Sequence, residues 1–279
     1  TNENPTQNTP SASRTISWLV TDANSDGVGA ANSSGVNSTI TITPLSDIPL
    51  ITAGGTLSYT ENGSAAVIDN SITITDADDI EIDSAQVTIS SGFTAGDTLI
   101  LANPGSLSSS FVSDSILTIS GTESLNNYRD ALRSITYHST SEDPTITESS
   151  RTISWTVTDA DSETLGAEIS TAVTSTINIT ALNDIPVVTD LDVTLSYTEN
   201  TSASVLDGSI TLSDSDDSAL DSATVQITAG HTSGDILTLG TPGSLNSSYA
   251  AGKLTITGSA LLAVYKTALE SVTYHSTSE

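Results

Sequence analysis

Apolar and polar residues alternate in short runs along most of the chain. Clear examples are 39–42, 87–89, 117–119 and 176–179, where Ile, Val or Leu alternates with Thr or Asn. Period-two alternation rich in β-branched residues predicts strands with one buried face, and the Gly, Ser, Asn and Asp between the runs favour turns. Many such strands predict an all-β fold of sandwich domains. We expect strands near 14–21, 38–43, 56–60, 71–75, 85–90, 98–101, 116–120, 134–138, 151–158 and 174–180.

One segment in each half of the chain departs from this alternation. Residues 123–133 place Leu125, Tyr128 and Leu132 at helical spacing, and Thr122 precedes them as a candidate N-cap. The second half repeats the pattern in Leu261, Tyr265 and Leu269, with Ser259 as the candidate N-cap. We therefore predict one short inserted helix for each sandwich, packed across one end or edge.

Whole motifs recur at a long interval. Tyr-Thr-Glu-Asn at 59–62 recurs at 197–200, a shift of 138 positions, and Arg-Thr-Ile-Ser-Trp at 14–18 recurs at 151–155, a shift of 137. A period of this length is typical of an independent domain, because domains commonly hold about 100–150 residues. The sequence therefore predicts three segments: 1–46 as the closing part of a repeat, 47–183 as a complete repeat, and 184–279 as the opening part of the next.

The two partial repeats allow two interpretations. In the first, the chain is a window from a longer array of repeats. In the second, residues 1–46 of one molecule complete residues 187–279 of the next by strand addition, which would produce a filament.

The composition of the chain limits the classes of molecule that it can bind. The chain holds 34 Asp and Glu against 6 Lys and Arg, for a formal net charge of −28. Such a charge argues against binding to nucleic acid, whose phosphates require a basic surface, and against an anionic membrane. We expect no membrane insertion in this segment, because no apolar run is long enough. The chain has no Cys, so an extracellular form needs a stabilising device other than disulfides.

Acidic residues are concentrated where predicted strands end. The positions are Asp47 in the linker that begins the complete repeat, the turn at Asp76, Asp78 and Asp79, and the turn that begins at Asp159. Carboxylates that converge on one point repel one another unless a cation neutralises them. Ca²⁺ prefers carboxylate, carbonyl and amide oxygens. With no Cys and only three His, the chain is poorly suited to zinc or copper.

The motifs in their order resemble those of cadherin repeats. The segment 181–186 (Ala-Leu-Asn-Asp-Ile-Pro) is similar to the cadherin inter-domain linker, although Ile48 and Ile185 stand where cadherins have Asn, and Ser46 replaces the first Asn of the earlier copy. Tyr-Thr-Glu-Asn resembles the cadherin Pro-Glu-Asn motif, and the two Asp-x-Asp turns and the late single Asp also have cadherin counterparts. A Leu-Asp-Arg-Glu motif is not evident. The inserted helix and the absence of Cys make the repeat more similar to the cadherin-like repeats of giant bacterial surface adhesins.

This resemblance implies a stalk with Ca²⁺ bound at each junction between repeats. By analogy with cadherins, one junction would combine ligands from two successive repeats, and the other would use the equivalent positions one repeat earlier. The first set is Glu61, Asn183, Asp184, Asp214 and Asp216, and the second is Asp47, Asp76, Asp78 and Asp159. Asp22 and Glu199 occupy the equivalent motif positions in the partial repeats and complete the predicted ligands.

The function expected from these features is that of an extracellular spacer in a long adhesin or surface filament. Its partners would be neighbouring repeats of the same chain or the same protein. The alternative function is that of a module that binds a glycan or another protein. No catalytic motif is evident, which favours a protein that is not an enzyme. Asp97 and Asp235 are interpreted as turn formers, and Trp18 and Trp155 as core residues.

Overall fold

The computed structural model describes residues 5, 12–43, 45–112, 115–161, 164, 166–189 and 194–277. The chain divides into two compact units, Thr1–Ala181 and Leu182–Glu279. Both are built from strands, and each contains one helix of nine residues. The predicted fold class, tandem β-sandwich domains with a short helix in each, is confirmed.

The elements of the first unit are, in chain order, β1 (Ala12–Trp18), β2 (Val36–Ile42), β3 (Leu50–Thr52), β4 (Thr56–Thr60), β5 (Ala66–Val67), β6 (Thr73–Thr75), β7 (Glu81–Ser91), β8 (Asp97–Leu101), β9 (Ser108–Val112), β10 (Ile116–Ser124), α1 (Leu125–Arg133), β11 (Ile135–Ser139), β12 (Ser150–Asp159) and β13 (Val173–Thr180). Those of the second are β14 (Val187–Thr189), β15 (Ser204–Val205), β16 (Thr211–Ser213), β17 (Ala219–Gln226), β18 (Asp235–Leu239), β19 (Asn246–Ala250), β20 (Lys253–Leu261), α2 (Leu262–Glu270) and β21 (Val272–Ser276).

A large sheet and two smaller ones enclose the core of the first unit. The large sheet has the order β4-β13-β12-β7-β10-β9, the second has the order β5-β11-β8, and β3 pairs with β6. Every pair is antiparallel except β13 with β4, which is parallel. Side chains alternate between the two faces of a strand, so β12 buries Ile153, Trp155 and Val157 in one continuous apolar cluster with residues of the smaller sheets.

Helix α1 begins later than the sequence predicted. Its N-cap is Ser124, whose Oγ accepts a hydrogen bond from the amide of Asn127 at 3.2 Å, so the assignment of Thr122 was wrong. Residues Glu123 and Ser124 still pair with β7 as part of β10, and this pairing keeps the backbone extended up to the cap. Helix α2 likewise follows directly from β20. Its N-cap is Leu261, which offers no capping side chain, and Ser259 lies within the strand.

The second unit repeats the part of the first from β3 to β11, except that the counterpart of β4 is not a strand. Its sheets have the orders β17-β20-β19, β15-β21-β18 and β14-β16. In the part of this unit that the structure describes, no strand corresponds to β12 or β13. Residues 194–198, the counterpart of β4, are not in a strand, because β4 is held in its sheet only by β13. The unit therefore presents an incomplete large sheet.

The β1–β2 hairpin repeats β12–β13 in sequence but not in burial. It pairs in the same register, with Ile16 opposite Ser38 as Ile153 is opposite Ser175. Trp18 is 58% exposed whereas Trp155 is fully buried, so the prediction of a core role is confirmed for Trp155 and wrong for Trp18. The physical reason is that, among the described strands, β1 and β2 pair only with each other and lack the apolar sheet that covers β12.

Candidate metal centres

A carboxylate cluster forms where β6 ends in the first unit. Asp76 Oδ1 accepts hydrogen bonds from the amides of Asp78 at 3.1 Å and Asp79 at 2.9 Å, and these bonds fold the chain back in a tight turn. One carboxylate oxygen from each of the three residues lies within 4.8 Å of the others. Asp78 and Asp79 are buried and Asp76 is half-buried, so the negative charges are held close together in a partly desolvated site.

Two further aspartates from distant parts of the sequence border this turn. The amide of Asp47 donates a hydrogen bond to Asp78 Oδ2 at 3.0 Å. Asp159, the last residue of β12, is fully buried, and the pKa of its carboxyl is raised by burial and by the charges of Asp79 and Asp76. The structure therefore clusters two of the four sequence-predicted residues, Asp76 and Asp78, with Asp79. Asp47 contacts this cluster through its backbone amide, and the carboxylate of Asp159 is affected by its charge; the predicted ligand set stays a prediction.

Asp159 is held in place by the turn that follows it. Its Oδ1 accepts hydrogen bonds from the amides of Asp161 at 3.3 Å and Glu168 at 3.0 Å. These bonds oppose the rise in pKa that burial causes. The carboxylate is consequently fixed in position, and its negative charge stays near the Asp76 turn.

The chemistry of this cluster fits a hard divalent cation. Asp76 Oδ2 is shielded from solvent and accepts no hydrogen bond from the described residues. The ion pairs found within the described ranges, Arg129–Asp130, Arg151–Asp97 and Lys266–Glu270, all lie elsewhere. A buried acidic oxygen without a donor is costly, and Ca²⁺ is coordinated by oxygen ligands of this type.

The second unit contains the same turn. Asp214 Oδ1 accepts hydrogen bonds from the amides of Asp216 at 3.3 Å and Asp217 at 3.0 Å, and one oxygen from each residue lies within 4.8 Å of the others. The Asp184 amide donates to Asp216 Oδ2 at 3.1 Å, as Asp47 does to Asp78. Asp216 Oδ1 accepts no hydrogen bond from the described residues. Asn183 is exposed and donates to the Asp184 carbonyl at 2.6 Å.

The two acids of this turn differ in proton affinity. The pKa of Asp214 is lowered, first by the hydrogen bond from the Asp217 amide. For Asp216 the hydrogen bond from the Asp184 amide lowers the pKa, but the carboxylate contact with Asp214 and partial burial outweigh it, so its pKa is raised. The turn thus contains two neighbouring carboxyl groups whose negative charges repel each other.

Glu61 lies in the turn that follows β4. Its side chain is buried and its amide donates to the Thr180 carbonyl at 2.9 Å. A carboxylate oxygen of Glu142 lies within 4.8 Å of one of Glu61. Sequence reasoning missed Glu142, although Tyr-His-Ser-Thr-Ser-Glu at 137–142 recurs at 274–279 and could have drawn attention to it. The predicted grouping of Glu61 with Asp184, Asp214 and Asp216 involves both units and stays a prediction.

The predicted ligands of the partial repeats are exposed. Glu199 lies in a turn closed by a hydrogen bond from Tyr197 Oη to the Thr201 carbonyl at 3.0 Å, like the bond from Tyr59 to Gly63 at 2.7 Å. Asp22 Oδ1 accepts the amides of Asn24 and Ala31, both at 3.1 Å. Neither carboxylate joins an acidic cluster among the described residues.

Asp97 and Asp235 do more than form turns, which corrects the sequence-based interpretation. Asp97 Oδ2 accepts the Thr94 amide at 2.9 Å and also pairs with Arg151 Nε at 2.6 Å, with both side chains fully buried. Tyr137 Oη donates to Asp97 Oδ1 at 2.6 Å. The aspartate therefore links the turn before β8 to the core strands β11 and β12.

Asp235 has the same turn and tyrosine contacts but no arginine. It accepts the Thr232 amide at 2.6 Å and the Tyr274 hydroxyl at 2.6 Å. The hydrogen bond from Tyr274 is the largest of the contributions that lower its pKa to about 2.

The comparisons with known proteins are limited. No family model matches the chain. A stretch of 106 residues, 36% of the chain, is 30% identical to Halomucin of Haloquadratum walsbyi (strain DSM 16790 / HBSQ001), and this match spans 1% of that protein. No helix among the described residues is long and apolar enough to cross a membrane.

Two solved structures match the chain weakly. One is a protocadherin gammaB7 EC3-6 cis-dimer structure, at a TM-score of 0.32 and 12% identity over 87% of this chain and 51% of that one. The other is protocadherin gamma B2 extracellular cadherin domains 3–6, at a TM-score of 0.25 and 12% identity over 89% of this chain and 52% of that one. The chain itself is an all-β protein of tandem sandwich units with recurring carboxylate clusters.

Proposed function

We propose that this chain is an extracellular structural segment of a repetitive, adhesion-type protein, and that Ca²⁺ bound at the acidic clusters makes its repeats rigid. The observation that carries the proposal is the recurrence of one arrangement in both units. In each, an Asp-x-Asp-Asp turn receives a backbone hydrogen bond from the segment just before β3 or β14. Each turn also has a shielded carboxylate oxygen with no donor among the described residues.

The proposed ligands of the first cluster are Asp76, Asp78, Asp79 and Asp159, and those of the second are Asp214, Asp216 and Asp217. Bound Ca²⁺ would supply positive charge to these oxygens. The contribution of the chain is to hold the carboxylates close together through the Asp76 and Asp214 turns and through the Asp159 hydrogen bonds. Without a cation the like charges repel, which favours opening of the turn and of the segment attached to it.

At the junction between repeats, binding of the cation would also make the chain more rigid. Asp47 lies just before β3 and Asp184 just before β14, and the backbone amide of each donates to the acidic turn. A cation that fixes the turn would therefore also fix the segment that leads into each predicted repeat. Glu61 occupies the ligand position that the cadherin resemblance implies, and we propose it as a further ligand at the junction between repeats.

Isothermal titration calorimetry of the full chain with Ca²⁺ tests the proposal. Asp76→Asn is the informative variant, because the amide oxygen of Asn can still accept the Asp78 and Asp79 amides while the negative charge is lost. Asp130→Asn is the matched control, since Asp130 is exposed on α1 and outside every cluster.

We expect wild-type protein and Asp130→Asn to bind Ca²⁺ alike, and Asp76→Asn to lose at least tenfold in affinity at one site, about 1.4 kcal/mol. Mg²⁺ should bind much more weakly, because it requires a stricter octahedral geometry. Absence of Ca²⁺ binding by the wild type, or identical isotherms for all three proteins, would contradict the proposal.

A further inference from the structure

One pair of strands in the first unit joins the beginning of the predicted repeat to its end. Strand β4 runs parallel to β13 over five residue pairs. The Thr176 amide donates to the Gly55 carbonyl at 3.0 Å, just before β4 begins. The Glu61 amide donates to the Thr180 carbonyl at 2.9 Å, just after β4 ends. Backbone hydrogen bonds therefore connect residues 55–61 to the last strand of the repeat.

The two ends of the predicted repeat lie at opposite ends of this strand pair. Asp47 is bonded through its amide to Asp78 in the acidic turn, and the charges of that turn act on Asp159, the last residue of β12. Because β12 is antiparallel to β13, Asp159 lies at the end of the large sheet where β13 begins. Thr180, the last residue of β13, lies at the other end, beside Glu61. The chain therefore enters the repeat at one end of the large sheet and leaves it at the other.

Tension along the repeat would act on this pair in a defined direction. A pull on the segment before β4 draws that strand toward its N-terminal end, and a pull on the segment after β13 draws β13 toward its C-terminal end. The hydrogen bonds of a parallel pair are evenly spaced along both strands, so sliding the strands past each other stretches all of these bonds at once. Peeling the strands apart from one end would break the same bonds one after another, at a lower force.

A buried side chain also fastens the start of β4 to β13. Asp69 Oδ2 accepts hydrogen bonds from the amides of Gly54 at 2.9 Å and Gly55 at 2.6 Å. The same oxygen accepts the hydroxyl of Ser175, in β13, at 2.7 Å. A Cβ atom on Gly55 would lie 2.5 Å from Asp69 Cγ, so this close approach requires glycine. The carboxylate thus holds the segment before β4 against β13, where a pull from the preceding chain reaches the pair.

Strand β4 is anchored in the core by Tyr59. The side chain is 2% exposed, and its ring lies edge to face against Tyr137, with 4.9 Å between the centroids. Its hydroxyl donates to the Gly63 carbonyl at 2.7 Å, which closes the turn after β4. The preceding strand β3 pairs with β6 over only three residues. Strand β4 therefore offers a longer and better anchored resistance to tension than β3 does.

We propose that the β4–β13 pair is the tension-bearing element of the predicted repeat, and that it resists separation of the two ends until its hydrogen bonds break together. The inference rests on the proposed function in one respect, since only a structural segment of a surface protein is stretched in use. It does not require bound Ca²⁺, because the pair is held by backbone hydrogen bonds and by Asp69, which is not a proposed calcium ligand.

Pulling the full chain with optical tweezers in two directions tests the proposal. The chain has no Cys, so two introduced cysteines define where DNA handles are attached. Leu45→Cys with Ala181→Cys pulls along the repeat and slides β4 against β13. Ser64→Cys with Ala181→Cys is the matched control, because both points then lie where β13 ends and the strands are peeled apart. Residues 45, 64 and 181 are all exposed.

All measurements are made in chelator, so that a failure of the calcium proposal cannot alter the comparison. At equal loading rates, sliding should require about twofold more force than peeling, or a larger excess, because the bonds are stretched together. A length gain of about 40 nm identifies unfolding of the whole unit in both directions, since an extended residue spans about 3.5 Å. Equal unfolding forces in the two directions would overturn the proposal.

Two variants of Leu57 test whether the resistance lies in this strand pair. Given the two-residue period of a strand, the Leu57 amide points toward β13 as the Glu61 amide does. Leu57→Pro removes this donor, whereas Leu57→Ala removes the leucine side chain but keeps the donor.

Both variants must first show the length gain of the folded unit, and the comparison of directions, which leaves β4 unaltered, stands without them. When pulled along the repeat, Leu57→Pro should unfold at about two thirds of the force of Leu57→Ala or less, because proline cannot donate a backbone hydrogen bond. Equal forces for the two variants would place the resistance outside the β4–β13 pair and overturn the proposal.

Discussion

Two hairpins of nearly the same sequence occupy different environments in this chain. Strands β12 and β13 lie in a six-stranded sheet with Trp155 fully buried, whereas β1 and β2 form a two-stranded ribbon with Trp18 58% exposed. The strand register and the hydrogen bond of the indole are nevertheless the same. The comparison shows that the conformation of the hairpin is encoded locally, while burial of its apolar face depends on a neighbouring sheet.

The largest expected effect distinguishes the two tryptophans. Trp155→Ala should destabilise the first unit by about 3–5 kcal/mol, because it removes a large side chain from a packed core. Trp18→Ala should change the stability of the dilute chain by less than about 0.5 kcal/mol, since the side chain is exposed. Urea unfolding followed by circular dichroism measures both, and equal losses would mean that Trp18 is also packed.

Arg151 and Arg14, which occupy equivalent positions in the two hairpins, should differ in the same way. Arg151→Met should cost about 3 kcal/mol or more, because it leaves Asp97 charged and buried without its partner. Arg14→Met should be close to neutral in the dilute chain. The control is Arg151→Met combined with Asp97→Leu, which should recover part of the loss in urea unfolding. A double variant no more stable than the single one would argue against an unpaired charge as the cause.

A third comparison concerns Asp69 and Asp207. Asp69 accepts hydrogen bonds from Gly54, Gly55, Ser71 and Ser175, and although burial opposes them, they lower its pKa. Asp69→Ala should therefore destabilise the first unit by about 2 kcal/mol.

Asp207→Ala should destabilise the second unit less, since the described donors to Asp207 are the amide and hydroxyl of Ser209 alone. Hydrogen exchange at Tyr137 and Tyr274 would report on the two units separately. A larger loss of protection for Asp207→Ala than for Asp69→Ala would contradict this ranking.

The smallest effect concerns pH. Hydrogen bonds, the largest from Tyr274, lower the pKa of Asp235 to about 2. A carboxyl whose pKa is lower in the folded state stabilises it above the ordinary value of 3.8, and this contribution is lost as the pH falls from 3.8 toward about 2. Denaturant unfolding of wild type and Asp235→Asn over this range should show a shallower pH dependence for the variant. Superimposable profiles would exclude the predicted contribution of Asp235.

Much of the fold could be predicted from the sequence because its strands alternate strictly. The patterns around Ile89, Ile119 and Ile177 correspond to β7, β10 and β13. Strands β9 and β19 were missed, because Ser-Ser-Ser-Phe-Val and Asn-Ser-Ser-Tyr-Ala carry little alternation. The start of α1 was misplaced because strand pairing with β7 overrode the local capping preference at Thr122.

The candidate site was partly predictable for a similar reason. Asp76 and Asp78 are close in sequence, and the strand order places Asp47 and Asp159 at the same end of the sandwich. The approach of Glu142 to Glu61 depends on a tertiary contact with no local signal. The exposure of Trp18 could not be inferred from its own strand either, since burial there is decided by which strands lie next to it.

The melting temperature of the full chain in excess Ca²⁺, in excess Mg²⁺ and in chelator tests the central claim most directly. A ligand that binds only the folded state stabilises it by about 2.7 kcal/mol at one hundred times its dissociation constant. We predict that Ca²⁺ alone raises the melting temperature by several degrees and that Asp76→Asn reduces this gain. Three superimposed wild-type curves would mean that the acidic turns are solvated loops and that the repeats are not rigidified by calcium.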